Sequence, residues 1–170
     1  MNDSWVKNTP DEKQQSEWAA MLTSGQITLA EYVGLSKKEL YVIAQQAFQL
    51  LNSGKLEEAR DIYQGLVAAD PFDSVFHCHL GSVQLRLGNS EEALKEFDLA
   101  LQYNLSNVDA LAGRGEIYLS QGKLESAIVD MRKVLELDPE GKRNSTKRAR
   151  VALLSLKNMI EKQQLENKEQ

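Results

Sequence analysis

The sequence predicts an all-α fold in which three helix-turn-helix repeats stack into a superhelix. Residues that recur at a step of 34 positions carry this prediction. The small residues of the set are Gly54, Gly88, Gly122, Ala59, Ala93 and Ala127. The large apolar residues are Tyr63, Phe97 and Met131. Asp-Pro pairs stand two steps apart, at Asp70-Pro71 and at Asp138-Pro139.

A 34-residue period with a glycine between two helical patterns is the signature of the tetratricopeptide repeat (TPR). The repeat windows are 40–73, 74–107 and 108–141. The first helix of each pair, helix A, is predicted at 36–53, 73–87 and 107–121, and helix B at 55–69, 90–103 and 123–137. Each recurring glycine ends a helix A because glycine tolerates the left-handed turn found at helix C-termini. Each Asp-Pro pair ends a helix B because proline disfavours helix in the residue before it.

The remaining periodic positions predict the core between the two helices of a repeat. The alanines are small because helix B approaches helix A closely there, and Gly81 and Gly115, with Ala47 in the first repeat, are the matching small residues of helix A. Tyr63, Phe97 and Met131 lie four residues after the alanines, so they share their helical face and fill the core.

Two flanking segments complete the predicted domain organisation. Residues 1–39 form a polar tail and two short helices, of which 14–23 carries Trp18, Met21 and Leu22 as a possible dimerisation segment. The alternative is that these three residues fold back on the first repeat. Thr28 with Glu31 predicts a capping box for the second helix, and Ser36 with Glu39 the same for the first repeat helix. Residues 142–170 predict a C-terminal capping helix over 144–165 that covers the last repeat, followed by a frayed tail.

Composition narrows the class of protein. The chain has 170 residues, with 20 Lys and Arg against 25 Asp and Glu, which argues against a nucleic-acid binder. The single cysteine excludes an internal disulfide. The N-terminus lacks the apolar run of a secretory signal, and no stretch is apolar enough to insert in a membrane. We therefore expect a cytoplasmic protein.

The A helices of a TPR stack line its concave face, where side chains at positions 2, 5, 9 and 12 of each unit are expected to be exposed. From these positions we predict the following peptide-binding residues: Tyr41, Ala44, Phe48, Leu51, Val75, Cys78, Ser82, Leu85, Ala112, Glu116 and Leu119. Asp109 is the remaining inner residue of the third repeat. The strip is apolar through two repeats and acidic in the third, and an exposed apolar strip commonly marks a binding surface. The N-terminal segment or a second subunit could instead cover it.

Other residue clusters give weaker indications. The run His77-Cys78-His79 does not predict a metal site, because consecutive helical side chains diverge by about 100°. No constellation supports catalysis, so we expect neither an enzyme nor a cofactor. The basic cluster at 142–150 is interpreted as a solvated helix start, with an anionic partner as the alternative. The TPR mode that clamps a C-terminal carboxylate is not expected, because it needs Lys, Asn and Arg at inner positions where this chain has Ala44, Phe48, Cys78 and Ser82.

Several motifs resemble one TPR family, the class II chaperones of bacterial type III secretion, which bind hydrophobic translocator proteins. The motifs are Ser24-Gly25, Thr28-Leu29-Ala30, Gly34-Leu35-Ser36, Ala47-Phe48, the run from Ser53 to Ala59, Asp70-Pro71-Phe72-Asp73-Ser74 and Gly81. The resemblance covers roughly residues 20–123, and the matching groove residues are Phe48 and Glu116. Aromatic residues common in the family are replaced at Ala44, Leu51 and Leu56.

The resemblance implies a cytoplasmic chaperone that holds an extended, proline-flanked segment of a translocator in the groove until export, and a homodimer formed through the N-terminal helices. A generic TPR scaffold that joins folded proteins in an assembly is the alternative.

Overall fold

The computed structural model describes residues 12–166 of the chain, and within this range it is entirely helical. The predicted polar tail at 1–13 and the frayed C-terminal end lie largely outside the described residues. The helices are α1 (Glu12–Thr23), α2 (Leu29–Tyr32), α3 (Lys37–Asn52), α4 (Leu56–Ala69), α5 (Ser74–Arg86), α6 (Ser90–Tyr103), α7 (Val108–Ser120), α8 (Leu124–Leu137) and α9 (Asn144–Glu166). Helices α3, α5 and α7 are the A helices and α4, α6 and α8 the B helices, so the predicted three-repeat fold is confirmed.

The ends of the repeat helices follow from local chemistry. Gly54, Gly88 and Gly122 have φ angles of 83°, 87° and 71°, the left-handed conformation that an L side chain rarely adopts. The Ser36–Glu39 capping box is present at the start of α3. Asp73 is the N-cap of α5, and its carboxylate accepts hydrogen bonds from the backbone N–H groups of Val75 and Phe76.

The core lies between the A and B helices of each pair, as the periodic residues predict. All three alanines of the B helices are fully buried, and so are the large residues Tyr63, Phe97 and Met131. The structure shows why a residue without a side chain is needed at Gly81. A Cβ atom at Gly81 would lie 2.9 Å from Cε1 of Phe97 and 3.2 Å from the carbonyl oxygen of Ala93. Helix α6 therefore packs directly on the backbone of α5.

Helix α9 lies in the place of a fourth A helix and packs against both α7 and α8. Ala149 is 1% exposed and stands 34 residues after the buried Gly115. The turn into α9 is organised by Asp138, whose carboxylate accepts the backbone N–H groups of Lys142 at 3.1 Å and Arg143 at 3.0 Å. These bonds, with one from the Thr146 hydroxyl, lower the pKa of Asp138 to about 2.

Helices α1 and α2 precede the repeats, and Ala30 of α2 is buried in the core of the first repeat. Helix α1 packs mainly on α2, and α2 contacts α4. The capping box of Thr28 and Glu31 is present, as predicted. Trp18 is 40% exposed, whereas Met21 and Leu22 are half-buried. Among residues 12–166, no helix has the length and apolar character needed to cross a bilayer.

Candidate binding groove

The concave face contains a groove of about 660 Å³ whose wall is built from α3, α5, α7 and the beginning of α9. Six of the predicted peptide-binding residues line it: Phe48, Leu51, Cys78, Ser82, Leu85 and Glu116. The A helices bring these side chains together because residues at equivalent repeat positions project on the same side of the stack. We refer to this space as the groove.

Phe48 is the most accessible apolar side chain in the groove wall. It is 42% exposed, and its ring lies 5.4 Å from the imidazole of His79 at a tilt of 59°. His79 in turn stacks on the buried ring of Tyr63, with centroids 5.2 Å apart and planes 20° apart. Phe48 therefore packs beside His79, which stacks on Tyr63, and remains accessible from the groove.

The expected exposure is wrong at four of the predicted positions. Ala44, Leu51, Cys78 and Ala112 are at most 6% exposed. Neighbouring A helices meet along the inner face, so position 5 is used for helix–helix contact rather than left open. Leu51 and Cys78 still form part of the groove floor, but Ala44 and Ala112 do not reach it. A peptide contact at these four positions stays a prediction.

The other predicted residues flank the groove. Tyr41 is 39% exposed, and its hydroxyl donates to Oδ2 of Asp73 at 3.0 Å, so its polar end is already engaged. Burial, with the carboxylate of Asp73 next, raises the pKa of Tyr41 to about 12. Val75 lines a neighbouring cavity of about 230 Å³, and Leu119 is half-buried against the core.

His77, Cys78 and His79 point in three directions, as expected for consecutive helical residues. The ring nitrogens of His77 bond Oε2 of Glu96 at 2.7 Å and the Pro71 carbonyl at 2.9 Å. Burial works against protonation of His77, but these partners outweigh it and raise its pKa. Burial raises the pKa of the Cys78 thiol to about 12, which keeps it protonated. Burial lowers the pKa of His79, so its imidazole is neutral at pH 7.

Sequence reasoning missed several groove residues, among them Arg86 at the end of α5, His79 and the residues around the start of α9. His79 was considered only as part of a metal cluster, and its role in supporting Phe48 depends on tertiary packing. The turn before α9 contributes Arg143, and the first residues of α9 contribute Ser145 and Arg148. The step of 34 residues from Gly115 to Ala149 is the signal that could have revealed α9 as an inner helix.

The basic cluster at 142–150 is only partly the solvated helix start that we expected. Arg143 donates to Oδ2 of Asp109 at 2.5 Å, and Arg148 donates to Oε1 of Glu116 at 2.7 Å. Arg150 donates to the Pro139 carbonyl at 3.2 Å. The first two contacts join the region around the start of α9 to α7 across the end of the groove, so Asp109 and Glu116 of the third repeat are paired within the chain itself.

A protein-family model for the tetratricopeptide repeat matches residues 78–142. Together with the helical pairs and the concave groove, this match shows that the chain folds as a TPR superhelix. Sperm-associated antigen 1 of Mus musculus is 31% identical over 117 residues, which is 66% of this chain and 13% of that protein. The chain spans 13% and 21% of the length of the first two curated relatives that it matches.

Several solved structures resemble this chain over most of its length. The Yersinia enterocolitica type III secretion translocator chaperone SycD aligns with a TM-score of 0.67 and 25% identity, over 76% of this chain and 98% of that one. SycD in complex with a peptide of the translocator YopD aligns with a TM-score of 0.63 and 22% identity, over 76% of this chain and 97% of that one. The first TPR of Spaghetti (RPAP3) bound to an HSP90 peptide aligns with a TM-score of 0.61 and 29% identity, over 71% of this chain and 95% of that one. The resemblance to translocator chaperones predicted from the sequence motifs is confirmed.

Proposed function

We propose that this chain is a cytoplasmic chaperone of bacterial type III secretion. It binds an extended, proline-flanked segment of a hydrophobic translocator protein in the groove and keeps that protein soluble until export. The chain acts by binding and carries out no reaction. Support comes from the likeness to SycD, a translocator chaperone that is also known in complex with a peptide of YopD.

The observation that carries the proposal is the accessibility of Phe48 on the concave face. A large aromatic ring that is 42% exposed beside a cavity of about 660 Å³ leaves apolar area for a partner to cover. Burial of one large apolar side chain stabilises a complex by about 1.5–3 kcal/mol. A few such contacts, less the cost of association, reach the roughly 8 kcal/mol of a micromolar complex.

An extended segment suits the shape of the groove. Adjacent packed helices lie about 8–10 Å apart, so a trough across the A helices is on the order of 20 Å long or more. Polyproline geometry rises about 3.1 Å per residue, so roughly six or seven residues fill it. A segment that is already extended loses less conformational entropy when it binds.

The proposal includes a homodimer formed through the N-terminal helices. The supporting observation is that α1 packs mainly on α2 and leaves Trp18 40% exposed. We expect Trp18→Asp to lower the mass measured by light scattering to that of one chain. A mass that is unchanged in Trp18→Asp, Met21→Asp and Leu22→Asp would argue against this interface.

A second candidate, a TPR scaffold that joins folded proteins, is favoured by the sequence matches to eukaryotic TPR proteins, among them sperm-associated antigen 1. The two candidates differ in the nature of the partner. A chaperone client aggregates when it is produced alone, whereas a scaffold partner is soluble by itself.

Co-purification from the native host, with mass spectrometry of the bound proteins, tests the proposal. We expect a membrane-active partner that remains soluble only when it is co-expressed with this chain. The same capture with Phe48→Glu serves as the control and should lose the partner. Recovery of a partner that is soluble alone would favour the scaffold instead.

A further inference from the structure

Three arginine side chains reach the groove, and two of them are neutralised by acids of the same chain. Arg143 pairs with Asp109, and the Asp109 carboxylate also accepts the Ser145 hydroxyl at 2.5 Å. Arg148 pairs with Glu116 at 2.7 Å. These two pairs fix α9 against α7 and leave no net charge at that end of the groove.

Arg86 is different, because it forms no ion pair with any described residue. It lines the groove with Phe48, Leu51 and Leu85, and its side chain is exposed. Its Nη1 donates to the main-chain carbonyl of Leu51 at 2.5 Å. This bond holds the planar guanidinium at the end of α3, and its other N–H groups bond no residue within the described range 12–166.

The groove therefore carries one uncompensated positive charge beside its apolar floor. The charged residues described in the groove lining are Arg86, Arg143, Arg148, Asp109 and Glu116, and Arg86 is the one left without a carboxylate. His79 does not add to it, because burial lowers its pKa and keeps it neutral. A cation in a concave and partly apolar surface attracts an anionic group more strongly than one on an open surface.

We propose that Arg86 binds the side-chain carboxylate of an Asp or Glu in the extended segment held by the groove. This inference rests on the proposed function and specifies its ligand: an acidic residue close to the apolar residue that covers Phe48. The guanidinium matches a carboxylate with two parallel N–H donors. Because the Leu51 carbonyl already orders Arg86, less side-chain entropy is lost on binding.

The position of the acidic residue follows from the helix. Phe48 and Leu51 are three residues apart on α3, which corresponds to about 4.5 Å along the helix axis. Arg86 bonds the carbonyl of Leu51, and both residues line the groove with Phe48. The acidic residue is therefore expected close to the apolar residue that packs on Phe48.

A random 12-residue peptide library displayed on phage tests this inference without knowledge of the natural partner. The displayed peptides are fused at their C-termini, so only side chains supply carboxylates. We expect peptides selected on the wild-type protein to be enriched in Asp or Glu near an apolar residue. Selection on Arg86→Gln should lose the acidic enrichment and keep the apolar one.

Arg132→Gln is the matched control. Arg132 on α8 is exposed, lies outside the groove and, like Arg86, forms no ion pair with a described residue. Arg86→Lys keeps the charge but not the planar fork, so it should retain part of the acidic preference. Circular dichroism melts confirm that each variant folds.

One selected peptide, synthesised in Asp and Asn forms with an amidated C-terminus, gives the decisive comparison by fluorescence anisotropy. We expect Asp→Asn to weaken binding about tenfold in the wild type and less than about twofold in Arg86→Gln. Equal losses in both proteins contradict the inference. If the selected peptides depend on Phe48 but show no acidic preference, the inference about Arg86 is contradicted and the proposed function is not. If no peptide depends on the groove, both the inference and the proposed function are contradicted.

Discussion

Arg143 donates to the carboxylate of Asp109 over 2.5 Å, and these two residues stand 34 positions apart in the chain. They therefore occupy equivalent repeat positions, with Asp109 in the first turn of α7 and Arg143 immediately before α9. Ala149 and Gly115 repeat this relationship inside the core. Helix α9 thus both caps the third repeat and adds a fourth wall to the groove.

The first prediction concerns the close packing of α9. Ala149 is 1% exposed, so Ala149→Leu forces extra methyl groups into a filled space and should destabilise the fold by about 1–3 kcal/mol. The midpoint of urea unfolding measures this loss. Lys147→Leu, at an exposed position of the same helix, should change it little. Equal midpoints for the two variants would contradict the packing described here.

The repeats could be predicted from the sequence because their signals are local and periodic. A glycine in a left-handed turn, such as Gly88, and a small residue against a ring, such as Gly81 against Phe97, leave a mark at every step of the period. The exposure of the side chains along the groove was harder to predict from the sequence. Ala44 and Ala112 occupy nominal inner positions, yet contact between adjacent A helices buries them. The ion pairs of Arg143 and Arg148 also depend on the folded arrangement of α9.

A second prediction compares two glycines inside helices. A Cβ atom at Gly113 would lie 2.7 and 2.8 Å from ring atoms of Phe97, whereas one at Gly65 meets nothing within 4 Å. Gly113→Ala should therefore destabilise the protein by about 1–3 kcal/mol. Gly65→Ala should stabilise it by about 0.5–1 kcal/mol, because alanine loses less entropy in a helix.

Thermal unfolding distinguishes these glycine variants. One kcal/mol shifts the melting temperature of a protein of this size by about 2–4 °C. The two variants should move in opposite directions from the wild type. Shifts of the same sign would show that Phe97 does not lie against α7 as described.

The third prediction is a pH dependence produced by two histidines. The folded pKa of His77 is raised above its ordinary 6.5, so its stabilisation is present below pH 6.5 and is lost as the pH rises through the folded value. The folded pKa of His79 is lowered from 6.5, so its contribution is present above pH 6.5 and is lost as the pH falls through the folded value. Together they place a maximum of stability near pH 6.5.

Denaturant unfolding between pH 5 and pH 8.5 measures both slopes. His77→Gln should flatten the fall in unfolding free energy on the alkaline side. His79→Gln should flatten the acidic side and leave the alkaline side in place. A variant that changes stability equally at every pH would contradict the assigned direction for that histidine.

The fourth prediction is that the Tyr41 hydroxyl stabilises the fold but does not contribute to peptide binding. Its hydroxyl donates to Asp73, which also pairs with Lys37 at 3.1 Å and caps α5. Burial disfavours the Asp73 carboxylate, but its hydrogen bonds outweigh burial and lower its pKa. Tyr41→Phe should cost about 0.5–1.5 kcal/mol of stability. Peptide affinity, measured by anisotropy with a groove-selected peptide, should stay within about twofold because the ring remains.

The central claim is that an extended apolar segment lies against Phe48. Its most direct test is the affinity of Phe48→Glu for the co-purified partner, because a carboxylate at this position opposes apolar contact. We expect Phe48→Glu to lose binding by more than about a hundredfold, with its helical circular dichroism and melting temperature nearly unchanged. Val129→Glu, at a 66% exposed position of α8 away from the groove, should bind as the wild type does. Wild-type affinity in a folded Phe48→Glu protein would contradict the account.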